Sequence, residues 1–253
     1  MAVMKSKQFI DKLKDIAKNY KTLYVMGCFG APMTSKNKER YTKNHEYNMR
    51  PERTKMILAA SDDQFGFDCV CLIKAVLWGW SGDKTKQYGG SSYGSNGVYD
   101  ESADGFFKKR CKTTTTWQTI QPGEAVWTSG HIGVYIGDGL AVECTPAWSN
   151  KVQITAVGNI GKKSGYNTRT WSSHGHISYI DYTDQDIKED TKKEEDNFMV
   201  RYHTIEEIPA SYKPTIEKLI RKGYLAGKGK DLDLAEDIAR SYTVNDRAGL
   251  YGN

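Results

Sequence analysis

The segment that decides the fold is Cys69-Val-Cys-Leu-Ile-Lys-Ala-Val-Leu-Trp78, which follows Asp68 and ends before Gly79. Apolar side chains occupy nearly every position, so we expect the segment to be buried on all sides. An aspartate directly before a helix is a favourable N-cap, and a glycine directly after it is a favourable stop. The pattern therefore favours a buried helix over a buried strand.

Upstream of this segment, the spacing of Phe9, Leu13, Ile16 and Tyr20 predicts an amphipathic helix. Residues 31–55 are polar and basic without a clear period, which indicates a long loop or short irregular helices.

Downstream of this segment, alternating residues predict strands at Ile132–Ile136 and Leu140–Glu143, joined by a turn at Asp138-Gly139. Further strands are expected at Val152–Ile154 and Ile177–Ile180 in the same antiparallel sheet. Helices followed by strands indicate an α+β fold.

Composition restricts the function classes. The net charge of +5 is mild and favours anionic partners, but no basic run carries a nucleic-acid-binding signature. Five cysteines in a chain whose N-terminus has no apolar signal region argue against a disulfide framework, and their spacing does not suit zinc. No stretch is apolar enough to span a bilayer. We therefore expect synthesis in the cytoplasm without a signal peptide.

Three residues could carry chemistry. Cys69 lies where the buried helix begins, and a helix N-terminus lowers the pKa of a thiol, so we expect an ionised nucleophile. His131 begins a strand and could act as its general base, and Glu143, at the end of the returning strand, could orient the imidazole. The alternatives are a buried structural cysteine, a surface histidine and a solvated glutamate.

Residues 184–198 are a charged run that cannot form a core, and they are predicted to be a linker. Beyond it, Pro214 begins a predicted helix that closes at Gly223, and a second helix starts near Asp233. The expected organisation is a catalytic domain at 1–183 and a small helical module at 199–253.

Four motifs follow one another along the chain: Tyr24-Val-Met-Gly27, Phe67-Asp-Cys-Val-Cys-Leu-Ile73, Pro122-Gly-Glu and Gly130-His-Ile-Gly-Val-Tyr-Ile-Gly137. Over roughly residues 5 to 182 the chain resembles the NlpC-type cell-wall cysteine peptidases. The resemblance implies a papain-like fold with the nucleophile on a helix that packs against the sheet carrying the base. It also implies peptidoglycan as the substrate, with no metal or cofactor.

Carried over to this chain, the resemblance implies Cys69 as the nucleophile, His131 as the base and Glu143 as the third polar residue, which is commonly histidine in the family. Tyr24 and Asp68 match residues that line the site or support the oxyanion. The chain departs from the family at Val70-Cys71, where Ser-Gly is usual. His174 and His176 are alternative third members.

The C-terminal module resembles a single surface-layer-homology-like repeat through Tyr212-Lys-Pro-Thr-Ile216, Lys222-Gly-Tyr-Leu225 and Asn245-Asp-Arg-Ala-Gly249. Such repeats end some phage and prophage lytic enzymes, so we expect an endolysin that reaches the wall after holin-type release. The module could bind anionic wall polymers, self-associate or be structural. Alternatives for the whole chain are an N-acetylmuramoyl-L-alanine amidase, a non-catalytic wall-binding or virion component, and a protein-directed peptidase or transglutaminase.

Overall fold

Residues 2–183, 201–226 and 231–252 are described by a computed structural model of the protein. The chain divides into two units, residues 1–185 and 186–253. The predicted linker, residues 184–198, lies outside the described residues. No described helix is both long enough and apolar enough to cross a membrane.

The predicted amphipathic helix of the first unit is confirmed, and it buries Phe9, Leu13 and Ile16 on one face. The region 31–55, predicted to be a loop or short irregular helices, forms three short helices. The Thr34 hydroxyl accepts a hydrogen bond from the N–H of Asn37 at the start of the first of them, and Pro51 begins the last. The α-helices among the described residues of this unit are α1 (Ser6–Asn19), α2 (Ser35–Tyr41), α3 (Glu46–Met49), α4 (Pro51–Ala59), α5 (Cys69–Leu77) and α6 (Ala103–Arg110).

The described strands of this unit form one large sheet and two small ones. They are β1 (Met4–Lys5), β2 (Thr22–Tyr24), β3 (Phe29–Pro32), β4 (Phe65–Phe67), β5 (Cys111–Thr114), β6 (Ala125–Thr128), β7 (His131–Gly137), β8 (Leu140–Thr145), β9 (Lys151–Val157), β10 (Thr168–Arg169), β11 (Ser173–Ile177) and β12 (Ile180–Asp181). The large sheet has the order β10-β9-β8-β7-β6-β11-β5 and is antiparallel except at β10–β9. The unit is therefore a mixed α+β structure, as expected.

One predicted strand is wrong in its bounds. The sequence places a strand at Ile177–Ile180, but β11 ends at Ile177, and Ile180 begins β12, which pairs in parallel with β1. The error arises because β11 starts earlier, at residues such as His174 and Gly175 whose types do not follow an apolar alternation.

The helix α5 is the centre of the core, and all nine of its residues are buried. It begins at Cys69 after the N-cap Asp68, as predicted. The three-stranded sheet β2-β4-β3 leads directly into this helix, because its strand β4 ends at Phe67, immediately before the cap Asp68. Apolar residues of β7 and β8, among them Ile132, Val134 and Val142, belong to the same core as the helix.

Within residues 201–226 and 231–252, the second unit contains two helices, α7 (Lys213–Arg221) and α8 (Glu236–Arg247), and a pair of antiparallel strands, β13 (Arg201–Tyr202) and β14 (Leu234–Ala235). The first helix begins one residue before the predicted Pro214. The second begins at Glu236 and not near Asp233, because the residues between them pair with β13. The surface-layer-homology-like character of this unit stays a prediction.

Candidate functional site

The start of α5 is held by both oxygens of Asp68. Its Oδ1 accepts the backbone N–H of Cys71 at 2.7 Å, and its Oδ2 accepts the N–H of Gly27 at 2.8 Å. A carboxylate cannot donate a hydrogen bond to an oxyanion, so any support that Asp68 gives to one is indirect, through the position of the helix start. The sequence motifs assign Asp68 to substrate binding or oxyanion support, and its contacts in the structure are those of a helix cap.

Cys69, in the first turn of α5, has a side chain that is almost enclosed, with 6% of the residue exposed. The backbone N–H groups of Cys69, Val70 and Ile132 lie within hydrogen-bonding reach of its sulfur. Burial, and next the charge of Asp68, nevertheless raise the pKa of Cys69 to about 12. The expectation of a thiol ionised by its helix N-terminus is therefore wrong, because desolvation outweighs the N–H groups.

His131 is the first residue of β7 and lies next to Ile132, whose N–H reaches the Cys69 sulfur. The sulfur therefore lies next to the first residues of β7, the strand that His131 begins. The ring stacks on Trp171, with centroids 5.5 Å apart and planes 8° apart. This stacking restricts the ring to one plane.

Glu143 on β8 is fully buried, and its Oε2 lies 2.7 Å from Nε2 of His131. The two predicted partners thus meet, although the β7–β8 register shifts near the turn. Gly133 makes room for them: a Cβ at this position would lie 3.2 Å from Cβ of Glu143 and 3.1 Å from the Trp171 ring. Because Gly133 has no side chain, the Glu143 carboxylate and the Trp171 indole can approach the imidazole of His131.

Two further residues hold Glu143, and sequence reasoning singled out neither of them. The Thr155 hydroxyl donates to Oε1 at 2.7 Å, and Nε of Arg169 donates to Oε2 at 2.8 Å and to Oε1 at 3.0 Å. Burial acts to raise the pKa of Glu143, but the hydrogen bonds from His131 and Arg169 outweigh it and hold that pKa below its usual value. The carboxylate is thus an anion facing the imidazole.

The alternative third members lie elsewhere on the sheet. His174 is fully buried on β11, where Nδ1 contacts Glu124 and Nε2 lies 3.1 Å from the carbonyl oxygen of Thr116. Nε2 of His176 lies 3.0 Å from the same glutamate. In the described contacts both histidines pair with Glu124, whereas the partner of the His131 ring is Glu143.

A cleft of about 430 Å³ opens beside the sulfur. Tyr24 lies in its wall, and burial, followed by the neighbouring Cys69, raises the pKa of this tyrosine, so its hydroxyl stays protonated. The polar part of the lining includes His45, Asp68, Lys74, Asp100, Glu101 and Asp104. Across the part of the chain that the structure describes, no group of three His, Cys, Asp or Glu residues could hold a metal ion.

Comparisons with known proteins give a distant structural likeness. No protein-family model matches the chain, and no curated protein matches it. Among solved structures, the chain is similar to the P60 domain of an antigen from M. avium subspecies paratuberculosis, with a TM-score of 0.37 and 17% identity. The match covers 70% of this chain and 98% of that domain. A likeness at this level does not establish the family.

Proposed function

We propose that this protein is a cysteine peptidase of the NlpC type that hydrolyses amide bonds in the stem peptides of bacterial peptidoglycan. One observation carries the proposal: Cys69 lies at a helix start with its sulfur next to the backbone of Ile132, the residue after His131, and Nε2 of His131 is bound by an ionised, buried Glu143. The motifs quoted above support the choice of substrate, since their order resembles that family over most of the first unit.

Glu143 determines which nitrogen of His131 can act as a base. A carboxylate accepts a hydrogen bond, so Nε2 carries the proton and Nδ1 has the free lone pair. Because the thiol is neutral at rest, Nδ1 removes its proton as the sulfur attacks the carbonyl carbon of the substrate. The attack breaks the carbonyl π bond and leaves a negative charge on the substrate oxygen.

Backbone donors can stabilise that oxyanion. The N–H groups of Cys69 and Val70 belong to the first turn of α5, where no helix carbonyl accepts them, and the protonated hydroxyl of Tyr24 lies in the cleft wall. The imidazolium then gives its proton to the leaving amine, and a thioester forms. A water molecule, deprotonated by His131, attacks the thioester and releases the acid and the thiol.

Two neighbouring cysteines provide the test. Cys69→Ala abolishes lysis of purified walls in a turbidity assay, and it leaves the fold intact because a small apolar residue suits this buried position. The matched variant Cys71→Ala keeps most activity, because Cys71 lies within α5 and contacts its cap. Lysis by Cys69→Ala, or its loss only in Cys71→Ala, contradicts the assignment.

Mass spectrometry of the released fragments identifies the bond. New amino termini within the stem, after the D-glutamate side-chain carboxyl, support an endopeptidase. New termini at the stem's first L-alanine identify instead an N-acetylmuramoyl-L-alanine amidase that uses the same residues. If no fragments are released from any wall type, the result supports instead a non-catalytic wall-binding protein.

The biological setting of this proposal is that of a phage or prophage endolysin. The chain's net charge of +5 would favour anionic wall polymers, and the second unit is the proposed place of their binding or of self-association. Sedimentation of the full chain with walls that carry or lack teichoic acids tests the binding. Equal sedimentation with both contradicts it.

A further inference from the structure

Arg169 brings a permanent positive charge to the candidate catalytic carboxylate. Its Nε lies within 3.0 Å of both oxygens of Glu143, and its second guanidinium arm donates to the Thr145 hydroxyl at 3.2 Å. The guanidinium also lies over the rings of Trp148 and Trp171, at 4.9 and 5.4 Å from their centroids. Because Trp171 stacks on His131, Arg169 contacts both groups that hold the imidazole.

The charge balance around Glu143 would differ without this arginine. A buried carboxylate needs a cation nearby, because leaving one ion uncompensated in the interior is costly. If His131 were the only candidate, the resting site would favour an imidazolium, which cannot accept the thiol proton. Arginine stays protonated at every working pH, so it supplies the cation whatever the state of the imidazole.

We propose that Arg169 is a positioning residue that balances the charge of Glu143, so that His131 remains a neutral base in the resting enzyme. This inference rests on the proposed peptidase function and adds a residue to it. The titratable and charged groups that surround the imidazole or its neighbours are Cys69 and Asp68 at the start of α5, Asp104 on α6, which accepts the N–H of Gly130, Glu143 on β8 and Arg169 on β10.

The backbone fixes where the guanidinium can reach. Arg169 belongs to β10, which pairs in parallel with β9, and Arg169 lies opposite Val157. From there the planar guanidinium contacts both carboxylate oxygens and two indole rings at once. A lysine ammonium can supply the charge but not this combination of contacts.

The test is the pH dependence of kcat/KM on a soluble stem peptide. In Arg169→Gln the acid limb of the profile moves to higher pH, so that activity on that limb falls roughly tenfold, the effect of a one-unit displacement. The alkaline plateau changes much less. Arg169→Lys keeps the charge, so its limb stays near that of the wild type. Lys5→Gln, which removes an exposed ion pair with Asp181, is the matched control and leaves the profile unchanged.

A merely structural role for Arg169 predicts a different result: activity falls by the same factor at every pH and the limb does not move. That outcome overturns the inference, as does an acid limb in Arg169→Lys that is displaced as far as in Arg169→Gln. In a Glu143→Gln background, Arg169→Gln produces no further displacement, because the charge it balances is gone.

A measurement without turnover separates this inference from the proposed function. The ¹⁵N shifts of the His131 ring report how much imidazolium is present at a given pH. More imidazolium in Arg169→Gln than in the wild type at the same pH supports the charge-balancing role, and an equal amount contradicts it. If the wild type cleaves no stem peptide, the peptidase proposal fails while this measurement still decides the role of Arg169.

Discussion

The alkylation rate of Cys69 tests whether its thiol is protonated in the resting site. Burial raises the pKa of the thiol to about 12, against 9.0 for an unburied thiol. At about 1.4 kcal/mol per unit, ionising the sulfur in place costs about 4 kcal/mol more than in water. At pH 7 the thiolate fraction is then roughly 10⁻⁵, compared with roughly 10⁻² for the unburied thiol. Only the thiolate reacts with iodoacetamide at a useful rate.

We therefore expect Cys69 to react roughly a thousand times more slowly than a free thiol at pH 7, with a rate that rises about tenfold per pH unit and no plateau from pH 5 to 9. Peptide mapping by mass spectrometry measures the reaction, and the Cys71→Ala variant makes the labelled sulfur unambiguous, because both cysteines fall in one peptide. Cys28 and Cys144, which are fully buried, serve as slow internal references.

Fast alkylation that is already constant below pH 7 would refute this reasoning. Such a plateau is the behaviour of a preformed thiolate–imidazolium pair, in which the backbone N–H groups and the imidazolium together outweigh burial. The peptidase proposal would survive that result, since both protonation states lead to the same thioester. What would fail is the account of His131 as a base that acts only during the attack.

Three substitutions test the support of the site. The pKa of Glu143 is lowered in the folded state, so its ionised form stabilises the fold above pH 4.5, and this stabilisation is lost as the pH falls through the folded pKa. Below pH 4.5 we therefore expect the unfolding free energy of Glu143→Gln, measured by chemical denaturation, to fall less steeply with pH than that of the wild type. Equal slopes contradict the pairing. Gly133→Ala places a Cβ 3.0 to 3.2 Å from its neighbours, so we expect the unfolding free energy to fall by about 1–3 kcal/mol and kcat to decrease. An unchanged kcat would show that the carboxylate tolerates a shift. His174→Phe removes one of the two imidazole partners of the buried Glu124, while His176 remains, and costs about 1–3 kcal/mol; thermal unfolding at the wild-type temperature would contradict a stabilising role of this contact.

Local patterns predicted the parts of the fold that depend on neighbours in sequence. The continuous apolar run between Asp68 and Gly79 was enough for α5, because a buried helix with a cap and a stop is specified within a dozen residues. The pair His131 and Glu143 followed from a hairpin with a strong turn signal. In both cases the contact that matters is set by a single turn or by one helix end.

Contacts from distant segments were not predictable in this way. Strands β2 and β3 are only three and four residues long, and β3 contains a glycine and a proline, so no period shows in them, yet with β4 they form the sheet that precedes α5. Arg169 lies on a two-residue strand, and nothing in its neighbourhood marks it; its partner is chosen by the pairing of β10 with β9. The high pKa of Cys69 is missed for a similar reason, since a helix N-terminus is visible in sequence and the degree of burial is not.

The charges of the resting site fit one principle. Glu143 is matched by Arg169, the buried Lys74 in the cleft lining is matched by Asp100, and burial keeps the Cys69 thiol neutral. Charge separation between sulfur and imidazole therefore arises only when a substrate carbonyl is present to receive the electron pair, and the N–H groups of the first turn are already placed for the charge that then develops. Removing Arg169 disturbs this order, because an imidazolium held by an unbalanced Glu143 would also stabilise a thiolate. In Arg169→Gln we therefore expect Cys69 to become easier to alkylate at acid pH than in the wild type, and an unchanged rate contradicts a proton shared between the two residues.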